Sequence, residues 1–205
     1  MKVQIRHAIA VPVLAGAAAM TLTVPTATAS TPQPATASVT GSAQVRLTYW
    51  PDDDVRTFTF DARATPYSSP KPGAPAGLPT DAKGTVKISH WVADENVAVR
   101  MEGRVDCLVT SPGVATLTAV VTKADEPVAD QIGTRLGLSV YDGRGGRDKA
   151  RVGFSWSVVN ADQNKAGEWG PGRAGTCMAP APYAPVTKGG YTVRHVDLPP
   201  EPAAR

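Results

Sequence analysis

Four kinds of residue in this 205-residue chain could do chemistry. They are the carboxylates of Asp52-Asp53-Asp54, Glu95, Glu102, Asp106 and the Asp142 to Asp148 segment, the imidazoles of His90 and His195, the thiols of Cys107 and Cys177, and the indoles of Trp50, Trp91, Trp156 and Trp169. A Ser-His-Asp hydrolase would need a histidine beside a nucleophile on a shaped turn, and no G-x-S-x-G elbow or comparable motif is present. His90 and His195 are therefore expected to be satisfied structural histidines; a hydrolase built from scattered residues would draw on His90 and Asp148. Glycoside hydrolysis needs two carboxyl groups flanking one bond, and Glu95, Glu102 and Asp106 could supply them. Arg100 and Arg104 alternate with Glu102 and Asp106, however, which reads as a salt-bridged solvent face. No catalytic residue is assigned.

Calcium takes many oxygen ligands, and the Asp52-Asp53-Asp54 turn or the Asp142 to Asp148 loop could offer them. Neither has the spacing of a calcium loop, and Arg144 and Arg147 place positive charge where the cation would sit. Asp and Gly are ordinary turn residues. Two cysteines without C-x-x-C spacing or nearby histidines make neither a redox site nor a structural zinc site. No metal and no cofactor is expected. The tryptophans give the best indication of a binding surface: Trp156 continues an apolar strand face and reads as packing, whereas Trp50 and Trp91 fall opposite their strands' apolar ridges and Trp169 lies among Gly and Pro. Trp50, Trp91 and Trp169 are the candidate ligand surface, set against the plainer reading that such residues cover a barrel mouth.

These groups must be positioned by the elements around them. The chain opens with Lys2 and Arg6, an apolar run from Ala8 to Val24 and the small-x-small pattern Ala27-Thr28-Ala29, so residues 1–29 read as a secretory signal peptide, with cleavage after Ala37 as the alternative. No second long apolar run follows, so no transmembrane anchor is expected after processing. Export implies an oxidising compartment, where Cys107 and Cys177, having no competitor, should bond to each other. The formal charge of +3 includes Lys2 and Arg6, leaving 19 basic against 18 acidic residues, so nucleic acid is not an expected partner. About 175 residues remain, enough for one domain with a real core.

Residues 30–41 are rich in Thr, Ala, Ser and Pro and read as a flexible spacer; 42–198 as a single β domain; 199–205 as a tail. The clearest strand covers 97–110, where Val97, Val99, Met101, Val105, Cys107 and Val109 alternate with charged and polar residues, placing Cys107 on the core side. Val45, Leu47 and Tyr49 form a first hairpin with Phe58, Phe60 and Ala62 across Pro51-Asp52-Asp53-Asp54. Five prolines make 64–80 a surface loop. Val86, Ile88 and His90 share a strand face, and Ser111-Pro112-Gly113 suits a type II turn into the strand of Ala115, Leu117, Ala119 and Val121. Leu136, Leu138 and Val140 pair with Ala150, Val152, Phe154, Trp156 and Val158. Residues 160–190 lose periodicity, and a last strand spans 191–198. No sustained 3.6-residue period occurs. The expected fold is all-β, an antiparallel barrel or sandwich of about eight strands in hairpin order with one disulfide.

The run Gly103-Arg104-Val105-Asp106-Cys107-Leu108-Val109, then Ala115, Val120-Val121-Thr122, Leu138-Ser139-Val140-Tyr141-Asp142-Gly143 and Asp148, resembles a group of small secreted β-rich actinobacterial proteins labelled repetin-like. The likeness covers roughly 42–158, with Cys177 matching a later cysteine. It implies an all-β fold and export, and carries no catalytic residues. The functional expectation is a secreted, non-enzymatic binding or cell-envelope-associated β module. Its candidate partners are a cell-wall polymer, a secreted protein or a small apolar ligand held inside the barrel.

Overall fold

The computed structural model describes residues 36–144, 146, 149–156 and 159–201. The expected signal peptide, the first part of the spacer, Arg147, Asp148, Val158 and the end of the tail lie outside them. Ten strands are present: β1 Ser38–Val45, β2 Val55–Ala64, β3 Ala82–Val92, β4 Val97–Ser111, β5 Val114–Ala124, β6 Arg135–Tyr141, β7 Arg151–Phe154, β8 Ala161–Gln163, β9 Trp169–Pro171 and β10 Ala184–Arg194. A single 3-10 stretch, Glu126–Gln131, is the described helical element. Strands β1 to β7 and β10 form a closed antiparallel barrel in the order β1-β10-β7-β6-β5-β4-β3-β2, and β8 and β9 make a separate hairpin inserted before β10. Closure decides between barrel and sandwich.

Eight strands enclose a space that side chains can fill. The inward residues alternate as strand geometry requires: Phe58, Phe60 and Ala62 on β2, Leu117 and Ala119 on β5, Leu138 and Val140 on β6 are all buried. Gly113 has φ +80°, as its expected place in a type II turn demands. Strand boundaries differ from expectation, beginning with β1, which ends at Val45 and leaves Leu47, Tyr49 and Trp50 in the following connection and not in the hairpin strand. Folding starts at Ser38 rather than Ser42, because Val39 and Ala43 face the core while β1 pairs with both β2 and β10. Strand β7 ends at Phe154, short of Trp156 and Val158. The last strand spans Ala184–Arg194, not 191–198, since Ala184 and Val186 are already buried against the barrel.

A further difference concerns Cys107. The register of β4 on β5 shifts between Val105 and Cys107, so the extra residue Asp106 forms a bulge that flips every later side chain. Val105 and Leu108 therefore face the core, and Cys107 pairs with Thr118 on the outer wall. Cys107 is buried nonetheless, because the 175–182 segment crosses over it. The Cys107–Cys177 disulfide is formed, the Cys177 N–H donates to Thr118 Oγ1 (3.2 Å), and Ser139 Oγ donates to the Pro180 carbonyl (2.5 Å). A side chain at Gly137 would run into the Met178 carbonyl, and one at Gly153 into that of Ala181. Small outward residues on β5, β6 and β7 thus cut a track for a disulfide-fastened strap.

The proline-rich 65–80 connection is a wired loop. Asp81, buried at its end, accepts Ser69 N–H and Leu78 N–H on Oδ2 (both 2.9 Å) and Lys71 Nζ on Oδ1 (2.7 Å). Leu108 N–H donates to the Thr80 carbonyl and ties the loop to β4. Burial pushes the Asp81 carboxyl up, but Lys71 and the two backbone donors outweigh it and hold it below its ordinary 3.8. The unfolded chain then takes up protons first, so Asp81 contributes its full stability above pH 3.8 and loses it as pH falls through the lower, folded value. Asp81→Asn should cost roughly 2 kcal/mol at pH 7. Urea midpoints between neutral and strongly acid pH should converge for the two proteins; a gap that stays constant would show that ionisation of Asp81 contributes nothing.

Candidate functional site

In an up-and-down barrel every second connection returns to the same end. The connections 46–54, 93–96, 125–134 and 155–183 all leave one end, and 65–81, 112–113 and 142–150 leave the other. At the first end a chain of rings runs from core to solvent. Phe58, fully buried, meets Phe154 at 4.7 Å between centroids; Phe154 meets Tyr183 at 5.4 Å and Trp156 at 6.1 Å; Tyr183 meets the exposed Tyr49 at 5.9 Å. Deeper in, Phe60 meets Tyr191 edge-on at 5.3 Å. Phe58 and Phe60 are buried and point into the barrel from β2.

Beside the rings the interior turns polar. Arg56 has the same strand parity as Phe58, so its side chain points inward, and the residue is only 8% exposed. Its guanidinium donates to both oxygens of Asp52 (2.8 and 2.7 Å) and to Asp54 Oδ2 (2.9 Å). Asp54 also accepts the Ala93 N–H on Oδ1 (2.9 Å), and its Oδ2 lies 2.6 Å from His90 Nε2. His90 sits opposite Arg56 in the register of β2 on β3, which brings the two together. Burial pushes the Asp54 carboxyl up, yet Ala93, His90 and Arg56 together hold it below its usual value, so it remains an anion. Burial drives the Tyr183 hydroxyl well above its ordinary pKa, keeping it a neutral donor to the Phe154 carbonyl. The cluster closes the aromatic end with polar groups that are hydrogen-bonded to one another.

Outside this seal stand the exposed aromatics. Trp50 is 61%, Tyr49 68% and Trp169 71% exposed, and Trp91, on the outer side of β3, is 37% exposed. Trp50 lies in the 46–54 connection, Trp91 two residues from the 93–96 turn, and Trp169 on the β8–β9 hairpin of the 155–183 connection. All three candidate surface residues thus belong to one end, with Val97 and Ile132 exposed beside them. Trp156 is half-buried against Phe154.

Most of the remaining candidates are spent on structure. Asp52 and Asp54 are bound to Arg56, and Asp142 accepts from the Arg144 and Val193 N–H groups. Glu102 pairs with Lys123 and Asp106 with Arg135, each across strands rather than with the neighbouring arginines of β4. Glu95 is exposed in the 93–96 turn. His195 Nδ1 lies 3.0 Å from Thr110 Oγ1, at the far end from His90. His90 takes Asp54 as its carboxylate, and Asp148 is outside the described residues. Sequence reasoning missed Arg56, although its inward parity two residues before Phe58 and its flanking aspartates were visible. Comparison with known proteins finds no matching family model, no matching curated protein and no matching solved structure.

Proposed function

We propose that the protein is exported and acts as a non-enzymatic binding module of the cell envelope or its surroundings, with the aromatic end as its working surface. The observation that carries this is that exposed Tyr49, Trp50, Trp91 and Trp169 all belong to connections or strand ends at one end of a closed barrel. Soluble proteins seldom leave several large rings in water together without a partner for them. Tyr and Trp offer large rigid contact area with few torsions to freeze, which favours recognition. Export is supported by the leader pattern of residues 1–29 and by the disulfide; among the described residues no helix is long and apolar enough to cross a membrane.

The test is sedimentation of the purified protein with walls isolated from the cells that make it, and with the secreted protein fraction immobilised on beads. Wild type should be retained, and the double variant Trp50→Ala/Trp169→Ala should bind at least about tenfold more weakly with an unchanged melting temperature. Equal retention of variant and wild type would place the binding surface elsewhere and overturn the reading.

A further inference from the structure

Charge is divided between the two ends of the barrel as unevenly as the aromatics. Among the described residues, the connections 46–54, 93–96, 125–134 and 155–183 carry ten acidic residues and three basic ones, Arg46, Lys165 and Arg173, whereas 65–81, 112–113 and 142–150 carry two acidic and three basic. Arg56 compensates Asp52 and Asp54 from inside. Among the described residues, Asp53, Asp94, Glu95 and Glu126 are exposed at the aromatic end and make no ion pair. Uncompensated carboxylates around exposed indoles repel an anionic polymer or an anionic lipid surface and attract cations. Lysine and arginine suit both features at once, since their charged heads pair with carboxylates while their aliphatic stems and guanidinium planes lie on aromatic faces.

We propose that the aromatic end docks a basic polypeptide segment, a Lys/Arg-rich stretch with interspersed apolar side chains, whose cations meet Asp53, Asp94, Glu95 and Glu126 and whose apolar groups lie against Trp50 and Trp169. This rests on the aromatic end being the binding surface and adds the class of partner. A flexible basic segment gains most when its charges are steered first and its apolar groups desolvated second, so the interaction weakens with salt.

The full-length processed protein is titrated, with tryptophan fluorescence and calorimetry, against a synthetic peptide repeating Lys-Gly-Leu-Lys and against its counterpart with Glu for every Lys. The lysine peptide should bind and the glutamate peptide should not. Trp50→Ala/Trp169→Ala and, separately, Asp94→Lys/Glu95→Lys should each weaken binding about tenfold, the second pair alone also flattening the salt dependence. Equal binding of both peptides, binding that survives both pairs of substitutions, or no binding of the lysine peptide overturns the proposal. Tryptophan-dependent retention by phosphatidylcholine vesicles or by an insoluble neutral glucan, without lysine-peptide binding, would discard the basic partner while leaving the aromatic end as the binding surface.

Discussion

Removing the disulfide with Cys107→Ala/Cys177→Ala is expected to lower the unfolding free energy by about 4 kcal/mol, the loop-closure entropy that a 70-residue separation returns to the unfolded chain. For a domain held by about 5 to 15 kcal/mol in all, that is the largest single loss available short of a core deletion. The enclosed loop contains β5, β6 and β7, which neighbour one another in the barrel, and the consequence in the folded protein should concentrate there. Strand β7 pairs with β10 through only Val152–Ala184 and Arg151–Pro185, the shortest seam of the barrel. The strap lies across the outer wall beside that seam, with Ser139 and Thr118 holding it and Cys177 in a left-handed conformation at φ +59° that an L residue adopts only under constraint. Urea unfolding with and without reductant measures the global loss, and amide exchange through 175–186 and 151–154 locates it. Gly137→Val, which drives a side chain into the Met178 carbonyl while both cysteines remain, should speed exchange over the same residues. Identical urea midpoints for the oxidised and cysteine-free proteins would refute the strap as a stabilising element.

Arg56→Met should cost roughly 3 kcal/mol at neutral pH, because it leaves two partly buried carboxylates, Asp52 and Asp54, without their shared counterion. Methionine keeps most of the aliphatic stem, so packing is largely retained and the loss reports charge. The sign with pH follows from Asp54. In the wild type its folded pKa is depressed below 3.8, so its contribution is present above that value and fades as pH falls through the lower folded one. In the variant the effect of burial on Asp54 is less opposed, so as pH falls its carboxyl protonates earlier and the penalty shrinks. The gap between the two proteins in denaturant unfolding should therefore be widest near neutrality and narrow below about pH 4. Adding Asp54→Asn to the variant should recover part of the loss at neutral pH, whereas a gap independent of pH would assign Arg56 a packing role only. Because the cluster sits under Tyr49 and Trp50, the variant should also loosen the aromatic end.

Much of the strand content was legible because it depends on a two-residue period that local sequence carries. Phe58 and Phe60, Leu117 and Ala119, Leu138 and Val140 all face the core as their alternation requires, and Gly113 takes the turn conformation that its proline neighbour invites. The Pro-rich segment was legible as a loop but not as an ordered one, since its order comes from one buried carboxylate, Asp81, collecting donors from Ser69, Lys71 and Leu78. Strand ends were least legible. The Ser38–Val45 strand is built from small residues whose alternation is faint until β2 and β10 flank it.

The chain's own order of residues determined that the protein is all-β, that its strands follow one another as hairpins, that Cys107 must meet Cys177 and that Trp91 lies off the apolar ridge of its strand. Each of these follows from local periodicity, turn chemistry or the count of available partners. Only the tertiary structure decided that β1 closes on β10, that one extra residue at Asp106 turns Cys107 outward beneath a strap, that Arg56 seals one mouth from within, and that the three tryptophans share the end it seals. Those outcomes depend on register and closure between residues as much as 156 positions apart, for example Ser38 on Arg194, where no local propensity acts and the best global packing selects the arrangement.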